Sequence, residues 1–291
     1  MKKISKKLVL GTANLSRTYG INRSNLKKNK SFKNILSILN KKNIFFIDTA
    51  KDYLNSEEYL GKFCLNEYKI VSKISKFKKN SNLSIEKHIV MQTKNSLSKL
   101  KIKKFYALLI HNTELLSGKN GKKIYKALNT LKKKGLVNKI GYSIYNLKEL
   151  NKFYKKFKPD LIQGPFNILD QRIYRSGWLK RLNDSGVEFH ARSIFLQGLL
   201  LKKPGNIPPK FRKFKDIFDN YHLWLKKNKL DPLTACLQFV YFNKFVKKVV
   251  VGVDNSNQLD DIVNLKFNTK KNYNFHKLNC VNMKLINPSK W

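Results

Sequence analysis

Hydrophobic positions along the chain follow two rhythms. Short aliphatic or β-branched runs recur at "LVLGTA" (8–13), "FFIDTA" (45–50), "KIVSKI" (69–74), "YALLIHN" (106–112), "KIGYSI" (139–144), "LIQGPFN" (161–167), "EFHARS" (188–193) and "VVVGV" (249–253). Several are almost continuously apolar, as parallel strands covered on both faces must be. Between them the apolar residues fall at helical spacing. Ile85, Ile89, Thr93, Leu97 and Leu100 share one face of 84–100, and Ile124, Leu128 and Leu131 share one face of 120–134. "DPLTACLQFVYF" opens with Asp231 as an N-cap and Pro232 at the first helical position.

Eight strand–helix units in 291 residues, with no linker-like or low-complexity break, predict a single (β/α)8 TIM barrel over 1–291. The long interval before the eighth strand contains "KKPGNIPPKF" and reads as a loop insertion plus an extra helix. A doubly wound open sheet is the competing architecture. It would split the units over two sheets, and no GxGxxG follows the first strand.

Composition narrows the class. At 42% hydrophobic and 12% aromatic the chain is globular rather than disordered. "MKKISKKLVLGTANLSR" begins like a signal peptide, but its apolar core is short and runs into Asn, Ser and Arg, so a secretory leader is not expected. No run approaches the length of a membrane span. Cys64, Cys236 and Cys280 are few, odd in number and far apart, which predicts a reducing, cytoplasmic setting with neither a disulfide framework nor a metal site. The net charge of +43 has two readings: a polyanion-binding surface, or drift towards lysine in an AT-rich genome. Lysines are spread along the whole chain and the seven arginines are not clustered, which favours drift and no specific nucleic-acid partner.

In a barrel, chemistry sits at the C-terminal ends of the strands. There the sequence puts Asp48, Lys73, His111, Ser143, Gln163 and Arg192, with Tyr53 in the loop after the second strand. Asn55 and Glu58 have the spacing of a capping box for the next helix. A buried Asp48 needs a cation, and Lys73 on the neighbouring strand is the candidate. An ammonium near a phenol favours the phenolate, so Tyr53 could donate a proton to a carbonyl oxygen near neutral pH, with His111 hydrogen-bonding the same oxygen. Taken singly, each residue has a commoner role: a cap or turn Asp, a packing Tyr, a core His. The ordered set carries the weight. His190, in the middle of the seventh strand, reads as a core histidine.

Those residues resemble the aldo-keto reductases, nicotinamide-dependent (β/α)8 barrels. "DTAKDYLNSEEYLG" is similar to the family's D-T-A-x-x-Y-G-x-S-E-x-x-L-G segment, with Leu54 in place of the usual glycine. "IVSKIS", "LLIHN", "KKKGLVNKIGYSIYN", "LIQGPFNILDQ", "ARSIFLQGLLLK" and "VVVGVDNSNQLDDI" resemble its later segments, in order. The resemblance implies Tyr53 as general acid, Lys73 and Asp48 as the residues that tune it, and His111 as the residue that orients substrate. It implies Ser143 and Gln163 against the nicotinamide carboxamide, Gly11 and Thr12 near the nicotinamide half, Ser193, Gln197 and Gly198 at the pyrophosphate, and Gly252 to Gln258 at the adenosine end.

The chain departs from the family at three further positions. Ile144 stands where an Asn is common. Arg192 replaces the aromatic that stacks on the nicotinamide; a fixed cation there would favour the reduced cofactor. Asp254 stands where many relatives carry an Arg for the 2′-phosphate, with Lys247 or Lys248 as possible compensation. The resemblance thus favours NADP(H), with NAD(H) as the alternative. The expected activity is NAD(P)H-dependent reduction of a small aldehyde or ketone. A sugar-derived carbonyl is suggested by the likeness of "GTANL…YG" and "ARSIFLQGLLL" to reductases of surface-polysaccharide pathways. The rival is a non-catalytic, cofactor-binding interaction subunit on the same fold. Loops 17–30, 112–120 and 200–215 would set specificity, and the sequence gives no oligomeric state.

Overall fold

All eight apolar runs form strands that pair in parallel and in sequence order, β1 closing on β8. This computed structural model describes residues 4–15, 29–75, 84–268 and 273–291. The strands are β1 (Leu8–Gly11), β2 (Phe46–Asp48), β3 (Lys69–Ile74), β4 (Phe105–Ile110), β5 (Val137–Ser143), β6 (Leu161–Pro165), β7 (Glu188–Arg192) and β8 (Lys248–Gly252). The fold is a (β/α)8 barrel.

Helices α1 (Asn29–Lys41), α2 (Ser56–Leu60), α3 (Ile85–Leu100), α4 (Asn120–Lys133) and α5 (Leu147–Phe153) follow β1 to β5 in turn. After β6 come α6 (Arg172–Arg175) and α7 (Trp178–Asp184). The long interval after β7 holds three 3-10 turns between Leu199 and Phe214, then α8 (Lys215–Asn228) and α9 (Pro232–Tyr241), as the insertion plus extra helix required. Helix α10 (Ser256–Val263) follows β8. Among the described residues no helix is long and apolar enough to cross a membrane.

Caps separate the correct sequence signals from the misleading one. Asp231 accepts the Thr234 amide at 2.9 Å and starts α9 as expected. Asn55 does not cap α2. Its backbone is left-handed (φ 52°), whereas a side-chain N-cap needs an extended one, and Glu58 reaches out to Lys99 at 2.7 Å instead. The capping box lies at Asn146 and Glu149, which opens α5.

The barrel interior is stacked in layers. At mid-height Val71, Ala107, Leu109 and Leu161 form a small apolar cluster separate from the main core beneath the helices. Towards the strands' N-terminal ends lies a polar–aromatic plug. Glu188 accepts from Tyr106 and Lys139, and His190 stands 3.4 Å away; the Lys248 ammonium sits over the Phe46 ring at 3.9 Å. At the C-terminal ends the third layer is Asp48, Lys73 and Gln163.

Candidate active site

Asp48 ends β2 and is buried. In the β2–β3 register it faces Val71, so Lys73, two residues further on, shares Val71's side of the sheet and extends past the strand end. The Lys73 ammonium meets Asp48 Oδ2 at 2.7 Å and the Thr49 carbonyl at 3.0 Å. The second carboxylate oxygen accepts from Gln163 Nε2, also at 2.7 Å. A buried carboxylate is tolerable here because each of its oxygens has a donor.

Tyr53 lies in the turn between β2 and α2, where its amide bonds the Ala50 carbonyl and its carbonyl takes the Ser56 amide. Its ring stands 5.3 Å from the Lys73 ammonium and edge-on to His111 at 6.0 Å. The turn is braced from behind by Glu57, whose buried carboxylate accepts from Ser72 and Ser96. Burial pushes the Glu57 carboxyl above its ordinary range, against the opposing pull of the two serine hydroxyls. The four residues expected from three adjacent strand ends are therefore together, with Tyr53 between a cation and an imidazole.

From this group a cleft of about 640 Å³ runs across the mouth of the barrel. Asp48, Tyr53 and Gln163 line one end, with Gly11 and Thr12 beside them. Arg192, Ser193, Gln197 and Gly198 form a wall, and Gly252 and Gln258 lie towards the other end. Lys73 and Ser143 are buried behind the surface, and His111 stands beside Tyr53 rather than on the cleft wall.

The wall after β7 is conformationally costly. Ser193, Leu196 and Gln197 all have left-handed backbones (φ 58°, 48° and 55°), followed by Gly198 at 88°. Non-glycine residues held there cluster at ligand sites. A Cβ built on Gly252 would meet only the Asn14 side chain at 3.5 Å, and one on Gly198 would meet nothing within 4 Å. At Gly252 the protein's own packing does not call for glycine, and the space that glycine leaves belongs to the cleft. An extended ligand with an anionic centre suits this wall, which also carries Lys202 and Lys203.

Partners not anticipated from sequence appear at three of these residues. His111 Nδ1 lies 3.0 Å from Asp52. Arg192 donates to the Ile144 carbonyl at 2.8 Å and to Ser193 Oγ, and its guanidinium covers the Tyr145 ring at 4.4 Å. Asp254 accepts from Asn14 at 2.9 Å, while Gln258 turns back to the Asp254 amide and Asn255 caps α10. Of the two lysines expected to offset Asp254, Lys248 does not. Lys248 begins β8 and bonds the Lys6 carbonyl at the opposite end of the strand. Much of loop 17–30, with the "YG" of the sugar-reductase likeness, lies outside the described residues.

Comparison with known proteins bears on the fold and the family. No curated protein matches the chain in sequence. The aldo-keto reductase AKR11C1 of Bacillus halodurans, in its holo form, superposes with a TM-score of 0.72 at 18% identity, covering 94% of this chain and 91% of that one. PA4992 of Pseudomonas aeruginosa, assigned as an aldo-keto reductase, gives 0.64 at 19% identity with 88% of each chain covered. At such identities the likeness speaks to the fold. The sequence profile of the Aldo/keto reductase family matches residues 7–281, nearly the whole length. The chain belongs to the aldo/keto reductase family of carbonyl oxidoreductases.

Proposed function

We propose that the protein reduces an aldehyde or ketone to an alcohol using a nicotinamide dinucleotide, with Tyr53 as general acid. The observation that carries this reading is the buried Lys73–Asp48 pair, whose ammonium lies 5.3 Å from the Tyr53 ring at the head of the cleft. The reduced nicotinamide, when bound, supplies a hydride to the carbonyl carbon. The chain's own residues handle the oxygen. Tyr53 gives its hydroxyl proton to it, and the Lys73 ammonium favours the phenolate left behind. Asp48 fixes Lys73, and Gln163 fixes Asp48. His111 hydrogen-bonds the same oxygen and so helps fix the substrate.

The cofactor's adenosine half would extend to the end of the cleft farthest from Tyr53, with its pyrophosphate against the Ser193–Gly198 wall. The family lean is NADPH. The charges at the far end favour NADH, because Asp254 and Asp261 both line it and Lys248 is too remote to neutralise them. The substrate is a small carbonyl compound, and sugar aldehydes are the first class to try.

The test is NADH and NADPH consumption by purified protein over short aldehydes and sugar aldehydes, alongside Tyr53→Phe. Turnover in the variant is expected to fall by about 10²–10⁴-fold with the cofactor Kd unchanged. Full turnover without the hydroxyl would overturn the assignment. Tight cofactor binding without turnover of any carbonyl would favour the interaction-subunit reading.

A further inference from the structure

The Asp52–His111 contact changes what the histidine can do. Asp52 precedes Tyr53 in the turn after β2, and its Oδ2 lies 3.0 Å from His111 Nδ1. An ionised carboxylate has no proton to offer, so the nitrogen facing it must carry one. Asp52 is kept in that form. The hydrogen bond from His111 holds its carboxyl below the ordinary range despite partial burial, helped by the imidazole's charge, the Ser75 hydroxyl and nearby Lys51. Ser75 is itself fixed: its Oγ accepts from Gln92 on α3 at 2.7 Å, leaving the hydroxyl proton for Asp52.

We propose that Asp52 is a positioning residue that makes His111 a conditional donor. With Nδ1–H committed to Asp52, the ring exists either as a cation that donates from Nε2 or as a neutral ring whose Nε2 carries only a lone pair. Only the cation can hydrogen-bond a carbonyl oxygen through Nε2. The neutral ring accepts instead, which suits an alcohol. Low pH therefore gives the carbonyl two donors, Tyr53 and His111, and high pH leaves Tyr53 alone. Among the described residues the ring has Asp52 on Nδ1 and Tyr53 edge-on; Lys51 acts on Asp52, Lys73 with its partner Asp48 faces the Tyr53 ring, and Glu114 follows three positions along the chain. Asp52 is the one in hydrogen-bonding contact with the ring.

This inference rests on the reading that His111 meets the substrate oxygen, so its test has two parts. The first is ¹⁵N NMR of His111 in the unliganded protein, which reads the tautomer without any turnover. Wild type should show Nδ1 protonated throughout the titration. In Asp52→Asn, whose amide oxygen and nitrogen can serve either tautomer, the neutral ring should acquire Nε2–H. The second is the pH profile of kcat/KM for carbonyl reduction. Wild type should lose about 10²-fold as the imidazole deprotonates, the scale of one donor to a developing oxyanion. Asp52→Asn should flatten that limb. An Nε2–H tautomer in neutral wild type, or an identical limb in the variant, would overturn the proposal. Unimpaired reduction by Tyr53→Phe would instead overturn the general-acid reading and leave the tautomer result standing.

Discussion

Asp48 accepts one hydrogen bond on each carboxylate oxygen, from Lys73 and from Gln163, both at 2.7 Å. The acid thus ties β3 to β6 across the barrel mouth, and both donors are almost fully buried. Removing Lys73 would leave a buried carboxylate with an amide as its remaining side-chain donor. Lys73→Met is expected to cost about 3–5 kcal/mol in urea unfolding and to lower carbonyl turnover by at least the general-acid factor of about 10². Adding Asp48→Leu should restore much of the stability and none of the turnover. A single variant as stable as wild type would show that Asp48 is not charged in the fold, and an active double variant would remove the pair from the mechanism.

Arg192 is a fixed cation on the cleft wall. Its guanidinium is held by the Ile144 carbonyl and Ser193 Oγ, and Tyr145 covers one face, so it cannot swing away from a bound ligand without breaking these contacts. Beside an oxidised, positively charged nicotinamide it repels; beside the neutral reduced ring it does not. Arg192→Tyr should therefore lower the ratio of oxidised-to-reduced cofactor dissociation constants several-fold, read by fluorescence titration. A ratio unmoved by the substitution would place the nicotinamide elsewhere.

Cofactor choice should turn on Asp254. Asn14 holds its carboxylate at 2.9 Å, and Asp261 adds a second acid to the same end of the cleft. A 2′-phosphate would bring about two more negative charges there. Wild type is expected to bind NADH more tightly than NADPH, and Asp254→Arg should reverse the order by on the order of tenfold, equivalent to about 1.4 kcal/mol. Calorimetry with both nucleotides measures it directly. Tighter NADPH binding by wild type would mean that Lys202 or Lys203 governs the phosphate.

The sequence carried the barrel because its signals were periodic and local. Buried parallel strands had to be apolar throughout, and the Lys73 strand had to follow Asp48 closely enough to pair. Ring closure also turned spacing into neighbourhood, so Asp48, Tyr53, Lys73 and His111 could be grouped from their order alone. What stayed hidden was the direction of individual side chains. Asn55 and Glu58 had capping-box spacing, but a left-handed backbone at Asn55 cancelled it. Asp52 drew no role from the sequence because its partner lies 59 positions away. Lys248 looked close to Asp254 in sequence, yet a strand's length separates them. Of the plug, only His190 was read as a core residue, and its pairing with Glu188 stayed out of sight.

That plug should govern stability in acid. Burial alone would raise the Glu188 carboxyl, but hydrogen bonds from His190, Lys139 and Tyr106 outweigh it and hold the group at about 2. His190 is fully buried, and burial lowers its imidazole below the usual value against the pull of Glu188. The signs agree. A depressed carboxyl contributes stability that is complete above its unfolded value near 4.5 and is lost as pH falls towards 2. A buried neutral histidine becomes a liability once the unfolded chain starts to bind protons, below about 6.5. Stability should therefore fall in two stages on acidification, first below about 6.5 and then from about 4.5 towards 2. Glu188 accounts for about 3 kcal/mol of the second stage. With only 18 acidic residues against 61 basic ones, few other carboxylates share that loss. Chemical denaturation at a series of pH values, comparing wild type with Glu188→Gln and His190→Leu, separates the stages. Glu188→Gln should flatten the lower and His190→Leu the upper. An acid limb of the same depth in Glu188→Gln would move the acid sensitivity out of the plug and into the surface charge.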